Sequence, residues 1–181
     1  MGWMPMGKHV FILDTSVLCC WLQIPGKEEA GPLHDRWNHQ RISTLLAKER
    51  ANQSTFVLPL ATLIETGNHI SQAPRHRFEC ASNLAACLQD AADAQSPWAA
   101  FTDQSPLWQA DRLRELAATW PKLATGGTSI GDATIKNVAE YYARAGYVVE
   151  ILTGDEGLKA YQPTQPALVP RRRLNSKQGQ T

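Results

Sequence analysis

The chain has 181 residues and a formal net charge of +1, long enough to bury a sizeable core and without a global pull towards nucleic acid. No apolar run reaches membrane-spanning length, and the opening Met-Gly-Trp-Met-Pro-Met lacks the basic region and apolar core of a secretion signal. The expectation is therefore no membrane partner and a cytoplasmic location.

Residues 1–7 read as a flexible N-terminus, 8–161 as a single domain and 162–181 as a basic tail expected to be disordered. Arg171, Arg172, Arg173 and Lys177 put +4 in that tail, leaving about −3 for the remainder. Polyanion binding by the domain therefore needs a local basic patch, the tail or a metal. Cys19 and Cys20 are adjacent, while Cys80 and Cys87 share one predicted helix face. That spacing suits reduced core thiols better than a metal cassette.

Val10 to Leu13 is an apolar, partly β-branched run that ends in Asp14, Thr15 and Ser16. Continuous apolarity predicts a central strand of a covered parallel sheet, with Asp14 at its carboxyl end. A short helix over 17–24 and a Pro25-Gly26 exit loop follow, then a longer helix over 33–50 with Leu33, Trp37, Ile42, Leu45 and Leu46 near one face. Phe56 to Leu58 is the second strand, closed by Pro59. Helices are expected over 61–70 and 77–93, a minor strand over 97–101, and a helix over 106–120 opened by Pro106 with Leu107, Leu113 and Leu116 inward. A helix over 133–145 stops at Gly146, 147–152 is the third strong strand, and a short helix starts at Glu156. Alternating strands and helices predict an α/β fold: a three-layer α/β/α sandwich around a central, mostly parallel sheet.

On that map four acids converge. Asp14 follows the first strand, Glu65 lies in the early turns after the second, Asp132 opens the helix before the third, and Asp155 follows the third. Any one of them is equally well a helix cap or first-turn acid. Four at equivalent ends of one parallel sheet favour a shared site.

Four segments resemble the PIN-domain family, and most closely the ribonuclease toxins of bacterial type II toxin–antitoxin pairs. They are Phe-Ile-Leu-Asp14-Thr-Ser-Val-Leu, Leu60-Ala-Thr-Leu-Ile-Glu65-Thr-Gly, Ser129-Ile-Gly-Asp132-Ala-Thr-Ile and Val149-Glu-Ile-Leu-Thr153-Gly-Asp155. The resemblance runs from Phe11 to Tyr161. It implies a PIN-like sandwich and a divalent-metal endoribonuclease acting on RNA, with an antitoxin protein as partner; a homodimer is a further expectation. The region 77–98 is longer than in compact toxins, and the tail is basic.

The chemistry follows from the residues as well. Phosphodiester hydrolysis needs an activated water, a neutralised phosphate and a stabilised leaving oxygen, which one or two hard divalent ions can supply. Carboxylates suit Mg2+, with Mn2+ as the alternative. The expectation places Asp14, Asp132 and Asp155 at the metal and Glu65 in direct or water-mediated contact. Thr15, Ser16 and Thr153 would orient these carboxylates or meet phosphate, and His69 shares the helix face of Glu65. His69 is equally well a polar residue bonded to backbone. Arg75, His76 and Arg77 form a small basic cluster that suits a nucleic-acid backbone or a solvated loop.

The alternative is a non-catalytic PIN-like interaction or RNA-binding module. A phosphohydrolase with Asp14 as covalent nucleophile is disfavoured because Ser16 stands where that chemistry calls for a second Asp, and no glycine-rich loop follows the first strand to bind a nucleotide.

Overall fold

The computed structural model describes residues 8–163. The N-terminal residues 1–7 and the tail beyond Pro163, with its four basic residues, lie outside the described part.

The apolar run after Lys8 forms strand β1 (His9–Leu13), and Asp14 caps helix α1 (Thr15–Trp21). Next come β2 (Glu29–Ala30), a 3-10 turn over Leu33–Asp35, β3 (Trp37–Asn38), α2 (His39–Ala51) and β4 (Thr55–Val57). Pro59, which has no amide hydrogen to leave unpaired, precedes α3 (Leu60–Gln72), and α4 (Arg77–Ala92) follows. A 3-10 segment over Phe101–Trp108 leads to α5 (Ala110–Thr125), α6 (Ile130–Arg144), β5 (Val148–Leu152) and α7 (Glu156–Lys159).

The main sheet has three strands, all parallel, in the order β4-β1-β5. Its central strand is the one whose sequence is continuously apolar. Phe11 pairs with Phe56 on one side and Glu150 on the other. Alternation then divides the core. Phe11 and Leu13 join Phe56, Leu58 and residues of α1 to α4, while Val10 and Ile12 join Val57, Val149, Ile151 and Ile135, Val138 and Tyr142 of α6. Two separate cores on opposite sheet faces make the three-layer α/β sandwich that the alternating pattern predicts. All four cysteines are free and buried, and no described helix is long and apolar enough to cross a membrane.

Three elements differ from the sequence expectation. The helix expected over 33–50 begins only at His39, where Asn38 accepts the Arg41 amide at 2.9 Å as N-cap. Leu33, counted to the buried face, is 88% exposed, and Trp37 belongs instead to a two-stranded antiparallel ribbon of β2 and β3. The helix expected from Pro106 begins at Ala110, because residues through Trp108 form the 3-10 segment. No residue of α5 is fully buried, and Leu113 faces outward. The minor strand over 97–101 is reduced to one parallel bridge between Trp98 and Phe56.

Candidate functional site

Asp14, Glu65, Asp132 and Asp155 line one cleft of about 330 Å³ at the carboxyl end of the parallel sheet, together with Thr15, Ser16, Cys19, Lys27, Glu29, Ala30 and His69. Asp14 is the buried member, 6% exposed, and its Oδ2 is the focus of the local hydrogen bonds. It accepts from the Ser16 hydroxyl at 2.7 Å, the Thr153 hydroxyl at 2.8 Å and the Ser16 amide at 3.3 Å. Thr153, buried at the end of β5, also accepts the Asp155 amide at 2.9 Å, and Ser16 Oγ accepts the Gly154 amide at 2.9 Å. The ends of β1 and β5 are thereby tied together through side chains.

Glu65 reaches the cleft from the middle of α3, where it is neither a cap nor a first-turn acid. Its Oε2 accepts from the Thr15 hydroxyl at 3.0 Å. Its Oε1 lies against Gly131, where a Cβ would stand only 2.3 Å away. The first turn of α6 can therefore receive this carboxylate only because residue 131 has no side chain, and the helix N-terminus favours the negative charge. Asp132 is the third residue of α6 rather than its first. Ser129 is the cap, with its hydroxyl donating to Asp132 Oδ2 at 2.8 Å and accepting the Asp132 amide at 3.0 Å. Asp155 is exposed and caps α7 by accepting the Leu158 amide on Oδ1 at 3.0 Å.

In each of the four carboxylates one oxygen takes the local hydrogen bonds, while the other has no hydrogen-bond partner among the described residues. A set of four oxygen donors, oriented by hydroxyls and amides, fits a hard divalent cation such as Mg2+ or Mn2+ and not a soft one. Among the described residues no three His, Cys, Asp or Glu side chains are gathered closely enough to hold one ion. The acids line the cleft rather than close on its centre.

Thr15, Ser16 and Thr153 are all engaged with these acids, and His69 lines the cleft one helical turn from Glu65. Arg75, His76 and Arg77 are absent from its lining; the Arg77 guanidinium bonds to the Ala73 carbonyl, and His76 stands 3.4 Å from Glu79. Burial pushes the Cys19 thiol up to about 12, so it is a neutral thiol near pH 7 and a poor nucleophile.

Sequence reasoning passed over Lys27 and Glu29, which read as an exit loop, and put Trp37 on a helix face, whereas its indole N–H donates to the Thr153 carbonyl at 3.0 Å. The Pro25-Gly26 pair was the available signal for a fixed turn ahead of Lys27. A larger groove, about 530 Å³ between α3 and α4, is lined almost wholly by apolar side chains such as Leu63, Ile70 and Phe78 and has no cluster of groups for acid–base or metal chemistry. No protein-family model, curated protein or solved structure matches the chain.

Proposed function

We propose that the chain is a divalent-metal-dependent endoribonuclease that hydrolyses RNA phosphodiester bonds, as the toxin of a toxin–antitoxin pair. The observation that carries the reading is the meeting of Asp14, Glu65, Asp132 and Asp155, from four separate segments, in one cleft at the carboxyl end of the sheet. Asp14, Asp132 and Asp155, too far apart for all three to touch one ion directly, would hold it partly through its own waters, with Glu65 in direct or water-mediated contact. Mg2+ or Mn2+, when bound there, supplies an activated water and neutralises the phosphate. The chain's own contribution is placement. Thr153 and Ser16 hold the buried Asp14, Thr15 holds Glu65, and Ser129 holds Asp132. Each carboxylate keeps one oxygen without a hydrogen-bond partner among the described residues.

The test is cleavage of a panel of single-stranded and structured RNAs by purified protein with Mg2+ or Mn2+, halted by chelator. Asp14→Asn and Asp132→Asn should each lower the rate at least about 100-fold, since a lost ligand disturbs ion placement as well as charge. Unchanged rates in both variants would sink the assignment. An antitoxin that covers the cleft, or a homodimer, belongs to the same proposal; co-purification with the product of a neighbouring gene and the mass in solution test each.

A second reading, a non-catalytic PIN-like interaction or RNA-binding module, rests on the capping of α1 by Asp14 and of α7 by Asp155. Caps give these acids a structural use without any chemistry. RNA binding without cleavage under every metal tried would select it.

A further inference from the structure

Among the described residues Lys27 is the only lysine or arginine lining the cleft, beside Asp14, Glu29, Glu65, Asp132 and Asp155. A lysine beside five carboxylates would ordinarily be drawn into an ion pair. Lys27 makes none within 4.0 Å among the described residues, and its ammonium has no hydrogen-bond acceptor there. Glu29, two residues further along the chain, is paired with Arg36 at 2.6 Å.

The position is built. Ile24, Pro25, Gly26 and Lys27 form a β-turn closed by the Lys27 amide on the Ile24 carbonyl at 2.8 Å. Pro25 fixes the second position, and Gly26 supplies the positive φ of +83° at the third, an arrangement few other residue pairs adopt without strain. Ile24 is fully buried and anchors the turn in the core. A flexible side chain is thus carried on a rigid backbone at the cleft mouth. Its charge is felt at the Cys19 thiol on the cleft lining, where it partly opposes the effect of burial.

We infer that Lys27 is the anion-positioning residue of the cleft, taking a phosphate oxygen of a single-stranded nucleic acid whose adjoining phosphate faces the acids. This rests on the nuclease reading, because a carboxylate-lined cleft repels a polyanion unless a cation lies between them. Lys27 supplies a tethered charge that needs no metal concentration and offsets part of the repulsion from the acids. A single phosphate contact is indifferent to base identity, so Lys27 contributes affinity and register rather than sequence choice.

The experiment measures binding of a fluorescent phosphorothioate oligoribonucleotide, in Mg2+, to the full chain across a salt series. Lys27→Ala should weaken affinity about fivefold at low salt. The slope of log affinity against log salt should flatten by about 0.7 to 1, the amount expected of one lost phosphate contact. Lys27→Arg should restore the slope because charge is kept. Lys122→Ala, on α5 and outside the cleft, should leave it as in wild type. If wild type binds and Lys27→Ala retains its slope, the assignment of Lys27 falls and the nuclease reading stands. If wild type does not bind at any salt, the nuclease reading falls and takes this assignment with it.

Discussion

The Thr153 hydroxyl donates to Asp14 Oδ2 at 2.8 Å and accepts the Asp155 amide at 2.9 Å, so one side chain at the end of β5 fixes the position of an acid 139 residues away and of another two residues on. Thr153 is 2% exposed and Asp14 6%, so their bond is shielded from water. Thr153→Val keeps the shape and removes both bonds. We expect it to lower unfolding free energy by about 1–3 kcal/mol, the usual cost of leaving a buried polar group unpaired, and to reduce cleavage at least tenfold. Thr153→Ser should recover most of both. Denaturant titration beside initial cleavage rates checks this, and a Val variant with wild-type stability would refute the linkage.

Gly131 offers a change in which stability and activity separate. A Cβ there would meet only the end of the Glu65 side chain at 2.3 Å and its carboxyl carbon at 3.2 Å, together with Ser129 Oγ at 3.5 Å. Such a carboxylate can swing away. Gly131→Ala also gains the helical preference of alanine over glycine, up to about 1 kcal/mol. The expected variant melts at or slightly above the wild-type temperature yet cleaves at least tenfold more slowly, because Glu65 has been moved off α6. A crystal structure or an unchanged rate would decide whether Glu65 in fact shifts.

Much of this arrangement was legible because its signals are local. Val10 to Leu13 is apolar at every position, which only a strand covered on both faces requires, and Asp14 follows at once. β5 was found from its β-branched and apolar residues around Glu150, with Asp155 shortly after it. Glu65 stands in the second turn of α3, as expected, because the helix starts at Leu60, right behind Pro59. The β2–β3 ribbon was missed for a physical reason: two residues per strand carry no periodicity, and Leu33 and Trp37 happen to be four apart, as on a helix face. Trp37 is fixed by the Thr153 carbonyl 116 residues away, and no window of sequence contains that contact. The face of α5 was misread because its leucines repeat at helical spacing while the helix packs only peripherally.

The ribbon's attachment gives a prediction in pH. Asp35 bonds to both Lys159 and Arg41, the latter at 2.7 Å, and so joins the 3-10 turn to α7 and α2. Lys159 first, then Arg41, holds its carboxyl down to about 2 from an ordinary 3.8. A depressed carboxyl stabilises the fold above its unfolded value and loses that contribution as pH falls through the folded one. Because the group is at the surface, solvent screening limits its contribution to about 1 kcal/mol. Asp35→Asn should therefore melt below wild type at pH 7 and at pH 5, with the gap closing between about pH 4 and 2. High salt should narrow the gap at pH 7, and a gap constant down to pH 2 would mean that the ionic contact is not its source.

The cleft as a whole is tested by metal-dependent stability. Among the described residues five carboxylates line it with a single lysine, so near neutral pH the folded chain is expected to bear a repulsion that the unfolded chain does not. A divalent ion that binds the assembled cleft and not the unfolded chain raises the melting temperature with its concentration, by a free energy of about 2.7 kcal/mol at 100 times its dissociation constant. Asp14→Asn removes one charge at nearly constant shape and leaves a capable cap for α1, so in chelator it should melt at or close to the wild-type temperature. Added Mg2+ or Mn2+ should raise wild type markedly and Asp14→Asn little. If Asp14 were a cap alone, the two proteins would respond alike. Melts with chelator and across a metal titration at constant ionic strength make the comparison, with Ser129→Ala alongside. That variant frees Asp132 Oδ2 from its hydroxyl donor and removes the α6 cap, so it should lose about 1 kcal/mol at every metal concentration while keeping most of the metal response. A response lost in Asp14→Asn and kept in Ser129→Ala separates a ligand from a support. Equal responses in wild type and Asp14→Asn would remove Asp14 from the metal site.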